Sequence, residues 1–217
     1  MSEAIKTLVL GDNDNAPYHP LKPVEGLLKN IIQESVKEKC IEITVTEDRS
    51  ELEIENLTDY HLFVCYADTW GSRLTQSQLA GILNFTAAGG ALVVIHNGIC
   101  FQNNSEYAKL VGAKFINHPP YQKLQYKSTG SGHSIMEGIP DFSMEEEPYF
   151  FEIDQFNDGI VLMEYTNGEI TNSAAWAHEY GLGRVVYLAP GHNEKSFQCQ
   201  QYQALIQRSI LWSLKDI

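Results

Sequence analysis

The chain has 217 residues, 43% of them hydrophobic and 20% charged, with a formal net charge of −13 at pH 7. That length holds one globular domain with a full core, spanning 1–217, and the acidity argues against a nucleic-acid partner bound through its phosphates. No apolar run approaches the roughly 18 residues of a membrane-crossing helix. Residues 1–6 show no basic region leading into an apolar stretch, so a cytoplasmic protein with no membrane partner is expected.

Residues 7–10 form a first apolar strand that ends at Gly11 and Asp12, and a polar loop follows that carries Tyr18 and His19. Pro23 fits the first turn of a helix, whose buried face is Val24, Leu27, Leu28, Ile31 and Ile32. Residues 41–46 alternate apolar and polar, as a strand at a sheet edge or a half-exposed strand does. Residues 62–65 are a buried strand that ends in Asp68, Thr69 and Trp70. Thr75 and Gln78 match a capping box, and the helix that follows is stopped by Gly89. Residues 91–95, Ala-Leu-Val-Val-Ile, read as a central parallel strand buried on both faces. It breaks off at His96 and Asn97, and Gly98 suits a sharp turn into a helix. A short helix is expected over 104–111.

The alternation then changes. Extended segments are expected near Leu124 and Tyr126, after Glu147 and over 160–165, with a turn-rich stretch at 132–140. Residues 174–178 and 184–188 read as a hairpin, followed by His192 and Glu194 and by a last helix over 200–214. The pattern predicts an α/β fold, a flavodoxin-like doubly wound, mostly parallel sheet. Helices cover both faces, and antiparallel strands are added in the C-terminal half.

In a parallel sheet ligands gather outside the carboxyl ends of the strands. Four such ends here carry Asp12 with His19, Asp68 with Trp70, His96 with Asn97, and His192 with Glu194. Histidines on one rim suit acid–base work on a small neutral molecule, and Tyr18, Trp70 and Tyr149 suit stacking on a sugar. His61 and His178 read as structural. No cofactor motif is present, but His19, His96 and His192 would hold a divalent metal if their nitrogens met at one point. Cys40, Cys65, Cys100 and Cys199 are expected to be reduced and unpaired. Cys100, close after His96, reads as core packing before nucleophile.

Several stretches bear a family likeness: residues 89–96, Tyr107 to His118, His133 to Phe142, Glu147 to Tyr149, and Tyr180 to Tyr187 followed by Gly191-His192. Through them the chain resembles the ThuA-like, or trehalose utilisation, family of the class I glutamine amidotransferase-like superfamily. Ser134 and Pro148 depart from the family pattern. The superfamily's nucleophilic cysteine falls at His96 here, while His192-Asn193-Glu194 resembles its histidine-x-glutamate pair. Glutaminase activity is therefore not expected.

The resemblance implies sugar catabolism, with acid–base chemistry on a disaccharide or keto-sugar derivative. His96 is the expected base, its pKa lowered. His192 is the expected acid, raised and oriented by Glu194. Asp12, Tyr18, His19, Trp70, Asn97, His118, Glu147 and Tyr149 are the expected substrate contacts. The alternative is a non-catalytic pseudo-amidotransferase module that binds a carbohydrate or a protein. The expected partner is a small sugar, and homodimer formation is left open.

Overall fold

The computed structural model describes residues 4–217. Met1, Ser2 and Glu3, part of the segment read as lacking a leader, lie outside the described residues. The strands are β1 (Ile5–Gly11), β2 (Ile41–Thr46), β3 (Leu62–Tyr66), β4 (Ala91–Ile95), β5 (Ala113–Asn117), β6 (Gln122–Ser128), β7 (Phe142–Glu146), β8 (Phe150–Ile153), β9 (Ile160–Thr166), β10 (Thr171–Tyr180) and β11 (Gly183–Leu188). The helices are α1 (Leu21–Ser35), α2 (Ile54–Leu57), α3 (Gln76–Ala87), α4 (Ser105–Val111), α5 (Glu194–Gln198) and α6 (Gln200–Ser213).

Nine strands form one sheet in the order β2-β1-β3-β4-β11-β10-β9-β6-β7, and β5 pairs with β8 apart from it. From β2 to β11 all neighbours are parallel, and from β11 to β7 all are antiparallel. The parallel half has the doubly wound order, in which the order of adding strands reverses between β1 and β3, the place where such sheets leave a crevice.

Side chains of a strand alternate between faces, so each buried strand feeds two cores. Val9, Val64, Val93, Ile95 and Val186 pack on one face against Leu21, Val24 and Leu28 of α1 and Leu205, Ile206 and Ile210 of α6. Leu8, Leu10, Phe63, Leu92, Val94 and Val185 pack on the other against Leu79, Ile82 and Phe85 of α3 and Tyr107 and Leu110 of α4. The expected capping box is present, with Thr75 and Gln78 each bonding the other's backbone N–H. As expected, β2 lies at an edge and β4 between two parallel neighbours.

Three features were not expected. A 3-10 turn at Arg49–Leu52 and the one-turn helix α2 fill the connection into β3, and α5 forms directly after His192. The strands β5 and β8 leave the main sheet, which puts the loop containing Glu147 between β7 and β8.

Among the described residues no helix is long and apolar enough to cross a membrane. All four cysteines are free, and Cys65 and Cys100 are buried.

Candidate metal centre at the carboxyl rim

Because β1, β3, β4 and β11 run the same way, the segments that leave them meet at one rim. The segment after β1 brings His19, the one after β3 brings Asp68, β4 ends in His96, and β11 leads to His192. His96 has φ of 47°, a left-handed backbone that a non-glycine residue adopts at a cost of about 1 kcal/mol or more. The sharp turn carries its imidazole to the rim, where it is fully buried among the other imidazoles and Tyr149 rather than in either apolar core. Two glycines permit the turn. A Cβ at Gly98 would lie 2.2 Å from the Cys65 carbonyl, and one at Gly191 would lie 3.0 Å from the His96 Cβ.

His96 Nδ1 stands 2.6 Å from the Ala189 carbonyl oxygen, which can only accept, so the ring donates there and turns the Nε2 lone pair to the centre. Tyr149 stacks on the same ring at a centroid distance of 4.1 Å. His19 Nδ1 lies 3.2 Å from Asp68 Oδ1, with the pair off hydrogen-bond alignment, and its backbone N–H donates to Asp68 Oδ2. His19 Nε2 therefore also faces inward, 3.2 Å from His96 Nε2 and 3.0 Å from His192 Nδ1. Glu147 Oε2 completes the group at 3.5 Å from His19, 3.4 Å from His96 and 3.3 Å from His192. These four atoms all lie within 4.8 Å of one another.

Four acceptors pointed at one spot repel unless a cation lies among them. The electrostatics reflect this. Burial opposes a charge on His19, but Asp68 and Glu147 outweigh it and push its pKa up to about 9. Burial likewise opposes ionisation of Glu147, yet the surrounding His19, His192 and His96 hold its carboxyl far below the usual range. His96 moves the other way, because burial lowers its pKa more than Glu147 raises it. A metal is the other cation that satisfies such a site. With metal–nitrogen bonds of about 2.0–2.1 Å, a tetrahedral set has edges of about 3.3 Å, and five of the six edges here measure 3.0–3.5 Å. The outer nitrogens of His19 and His96 face a carboxylate and a carbonyl, the arrangement that orients metal-binding imidazoles.

Glu194, expected to orient His192, is exposed on the first turn of α5 and makes no hydrogen bond or ion pair with His192. Glu147 stands there instead, since α5 begins at Glu194 and carries its side chain away. Asn97 donates to the carbonyls of Tyr66 and Ala67 and so ties the end of β4 to that of β3. Tyr149 is buried beneath His96 rather than open for stacking. His118 is exposed beside the cluster, with Nδ1 2.9 Å from the Pro119 carbonyl oxygen and 3.9 Å from Glu147 Oε1. Asp12, Tyr18 and Trp70 line an adjoining cleft of about 770 Å³ whose wall includes Asp68. Cys100 is fully buried, and burial pushes its thiol far up, so it does not act as a nucleophile here.

The residue that sequence reasoning missed is Glu146. It is fully buried and accepts from the backbone N–H groups of Gly191, His192 and Glu147 and from the Ser196 hydroxyl. A signal existed: period-two alternation puts Glu146 on the inward face with Phe142 and Met144.

Fold and site together define a doubly wound α/β protein with a three-histidine, one-carboxylate cluster at its carboxyl rim. The family model described as ThuA, Trehalose utilisation, matches residues 10–213, and the chain belongs to that family, with a role in sugar metabolism. A putative ThuA-like protein from Bacteroides uniformis is 16% identical with a TM-score of 0.80, over 98% of this chain and 93% of that one. A putative ThuA-like protein from Parabacteroides merdae is 17% identical with a TM-score of 0.79, over 99% and 91%. A protein of Salmonella typhimurium described as cytoplasmic is 12% identical with a TM-score of 0.67, over 96% and 99%. Comparison with curated protein sequences returns no match.

Proposed function

We propose that the chain is a cytoplasmic, metal-assisted enzyme of sugar catabolism that acts on a keto derivative of a disaccharide. The observation that carries this reading is the convergence of His19, His96, His192 and Glu147 on one point. A binding module needs no such convergence, so the catalytic reading is favoured over the pseudo-amidotransferase one. A divalent ion in this cluster would polarise a carbonyl oxygen as a Lewis acid. The proton next to a sugar carbonyl is the one such polarisation makes removable, which suits elimination or isomerisation. His96, assigned by its sequence position as the base, acts in this reading as a ligand, with no open ring nitrogen left to it. His118 is the imidazole beside the cluster not committed to it, and it carries the proton at the open side.

The test is to load the protein with zinc, manganese or cobalt and incubate it with 3-keto-trehalose in D2O. Deuterium beside the carbonyl, or release of free glucose, supports the reading. Metal bound with neither outcome overturns the chemistry, and no metal bound overturns the centre itself.

A further inference from the structure

The cleft beside the cluster is built from a different set of groups. Its polar floor is a chain of contacts that starts at the cluster: His19 meets Asp68, the Asp68 N–H donates to Asp12 Oδ2 at 2.8 Å, and Asp12 Oδ1 meets the Arg49 guanidinium at 3.2 Å. Asp12 and Asp68 are buried at 7% and 3% exposure, so these carboxylates hold fixed positions. Its edges are aromatic: Tyr18 is open at 72% exposure, and Trp70 packs on Phe115 at a centroid distance of 5.0 Å while keeping 36% exposure along the cleft. Tyr18 is so exposed that it contributes little to folding, and together the two rings give a cleft with a polar floor an apolar edge that a ligand can cover. A pyranose ring has this composition in reverse. It offers an apolar C–H face to an aromatic ring, and hydroxyls around its edge to fixed carboxylates and a guanidinium.

Charge narrows the class. Asp12, Glu47 and Asp68 line the cleft against the single guanidinium of Arg49, and Asp12 already engages that guanidinium. A phosphate or uronate placed there would face uncompensated like charge, at a cost that grows as water is excluded.

We propose that this cleft is a subsite for an uncharged sugar ring, the ring that does not react, so that the substrate has at least two rings and carries no phosphate on the ring held here. This rests on the reading of the neighbouring cluster as the reacting centre. The aromatic edges take the ring's apolar face, and Asp12 and Arg49 take its hydroxyls. Asp68 spans the two regions, with one edge behind His19 and its backbone in the cleft floor.

The probes are trehalose, maltose, glucose and glucose 6-phosphate, titrated by calorimetry and saturation-transfer NMR into wild-type, Tyr18→Ala and Trp70→Ala proteins, each with and without a chelator. The expected result is disaccharide binding at least as tight as that of glucose, with glucose 6-phosphate at least tenfold weaker than glucose. Tyr18→Ala and Trp70→Ala should each weaken disaccharide binding about tenfold or more. Tyr18 is so exposed that its variant folds as the wild type does, which a melting curve checks. Because the cleft shares no ligand atom with the cluster, disaccharide binding should persist after chelation. Persistence without any metal binding would sink the metal reading and leave the subsite standing. Binding of glucose 6-phosphate as tight as or tighter than that of glucose, binding unchanged in both aromatic variants, or no binding of either disaccharide would overturn the subsite.

Discussion

The two halves of the sheet reach the site in different ways. In the parallel half every carboxyl end points to one rim, so β1, β3, β4 and β11 deliver His19, Asp68, His96 and His192 to the same place. In the antiparallel half neighbouring ends alternate, and that half delivers its carboxylate from one strand, β7. That strand ends in two acids with separate roles. Glu146 turns inward and gathers the backbone of Gly191 and His192, while Glu147 turns to the three imidazoles. Topology thus gathers the parallel contributions at one rim, and a buried carboxylate from the antiparallel half then pins the loop that carries His192.

If that division holds, the sharpest break comes from removing the charge the antiparallel half donates. Glu147→Gln should weaken zinc or cobalt binding by more than the roughly 10–100-fold that loss of an outer partner costs, while the melting temperature of the metal-free protein changes little. Calorimetric metal titration reads it, and unchanged affinity would remove Glu147 from the centre. Glu146→Ala should do the reverse in kind. It leaves buried N–H donors unpaired at about 1–3 kcal/mol each, so a loss of about 3 kcal/mol or more is expected in urea unfolding. A loss below about 1 kcal/mol would mean that the loop after β11 is held by something other than this carboxylate.

A smaller effect sharpens the parallel side. Asp68→Asn keeps the shape but removes the charge behind His19, and metal affinity should fall about 10–100-fold. A fall as large as that of Glu147→Gln would show that Asp68 is itself a ligand.

The smallest concerns a histidine outside the rim. His178 is buried, and burial lowers its pKa although its ring bonds the Leu110 carbonyl. With its folded pKa below the unfolded value of about 6.5, the unfolded chain takes up the proton first. The folded state therefore keeps its full stability above that pH and loses part of it as the pH falls towards the folded pKa. His178→Gln should flatten the decline in stability that sets in as the pH falls below about 6.5, a small effect seen as a melting curve at each pH. An unchanged slope would show that His178 titrates alike in both states.

Much of the parallel half was legible because its signals are local. The run of residues 91–95 is bounded by glycines and by His96, and it forms the central strand as expected. The Thr75 capping box and the edge position of residues 41–46 follow from single-residue chemistry and from alternation. The meeting of His19, His96 and His192 was legible as a rim, since parallel strands leave no other place for their ends. The role of Glu147 and the removal of Glu194 were not. Glu194 sits next to His192 in sequence, but a helix starts there, while Glu147 arrives from a loop whose path depends on β5 and β8 leaving the main sheet. Asp68 as the partner of His19 was missed because 49 residues separate them and neither position has a local signature.

The left-handed backbone of His96 bears on how its ring is aimed. Glycine or asparagine would occupy φ of 47° with less strain. His96→Gly would relieve that backbone but also remove a fully buried ring together with its bond to the Ala189 carbonyl and its stack on Tyr149. The strain at this turn is thus tied to the same side chain whose contacts hold it, and the imidazole's direction towards the centre is fixed from both the backbone and the ring.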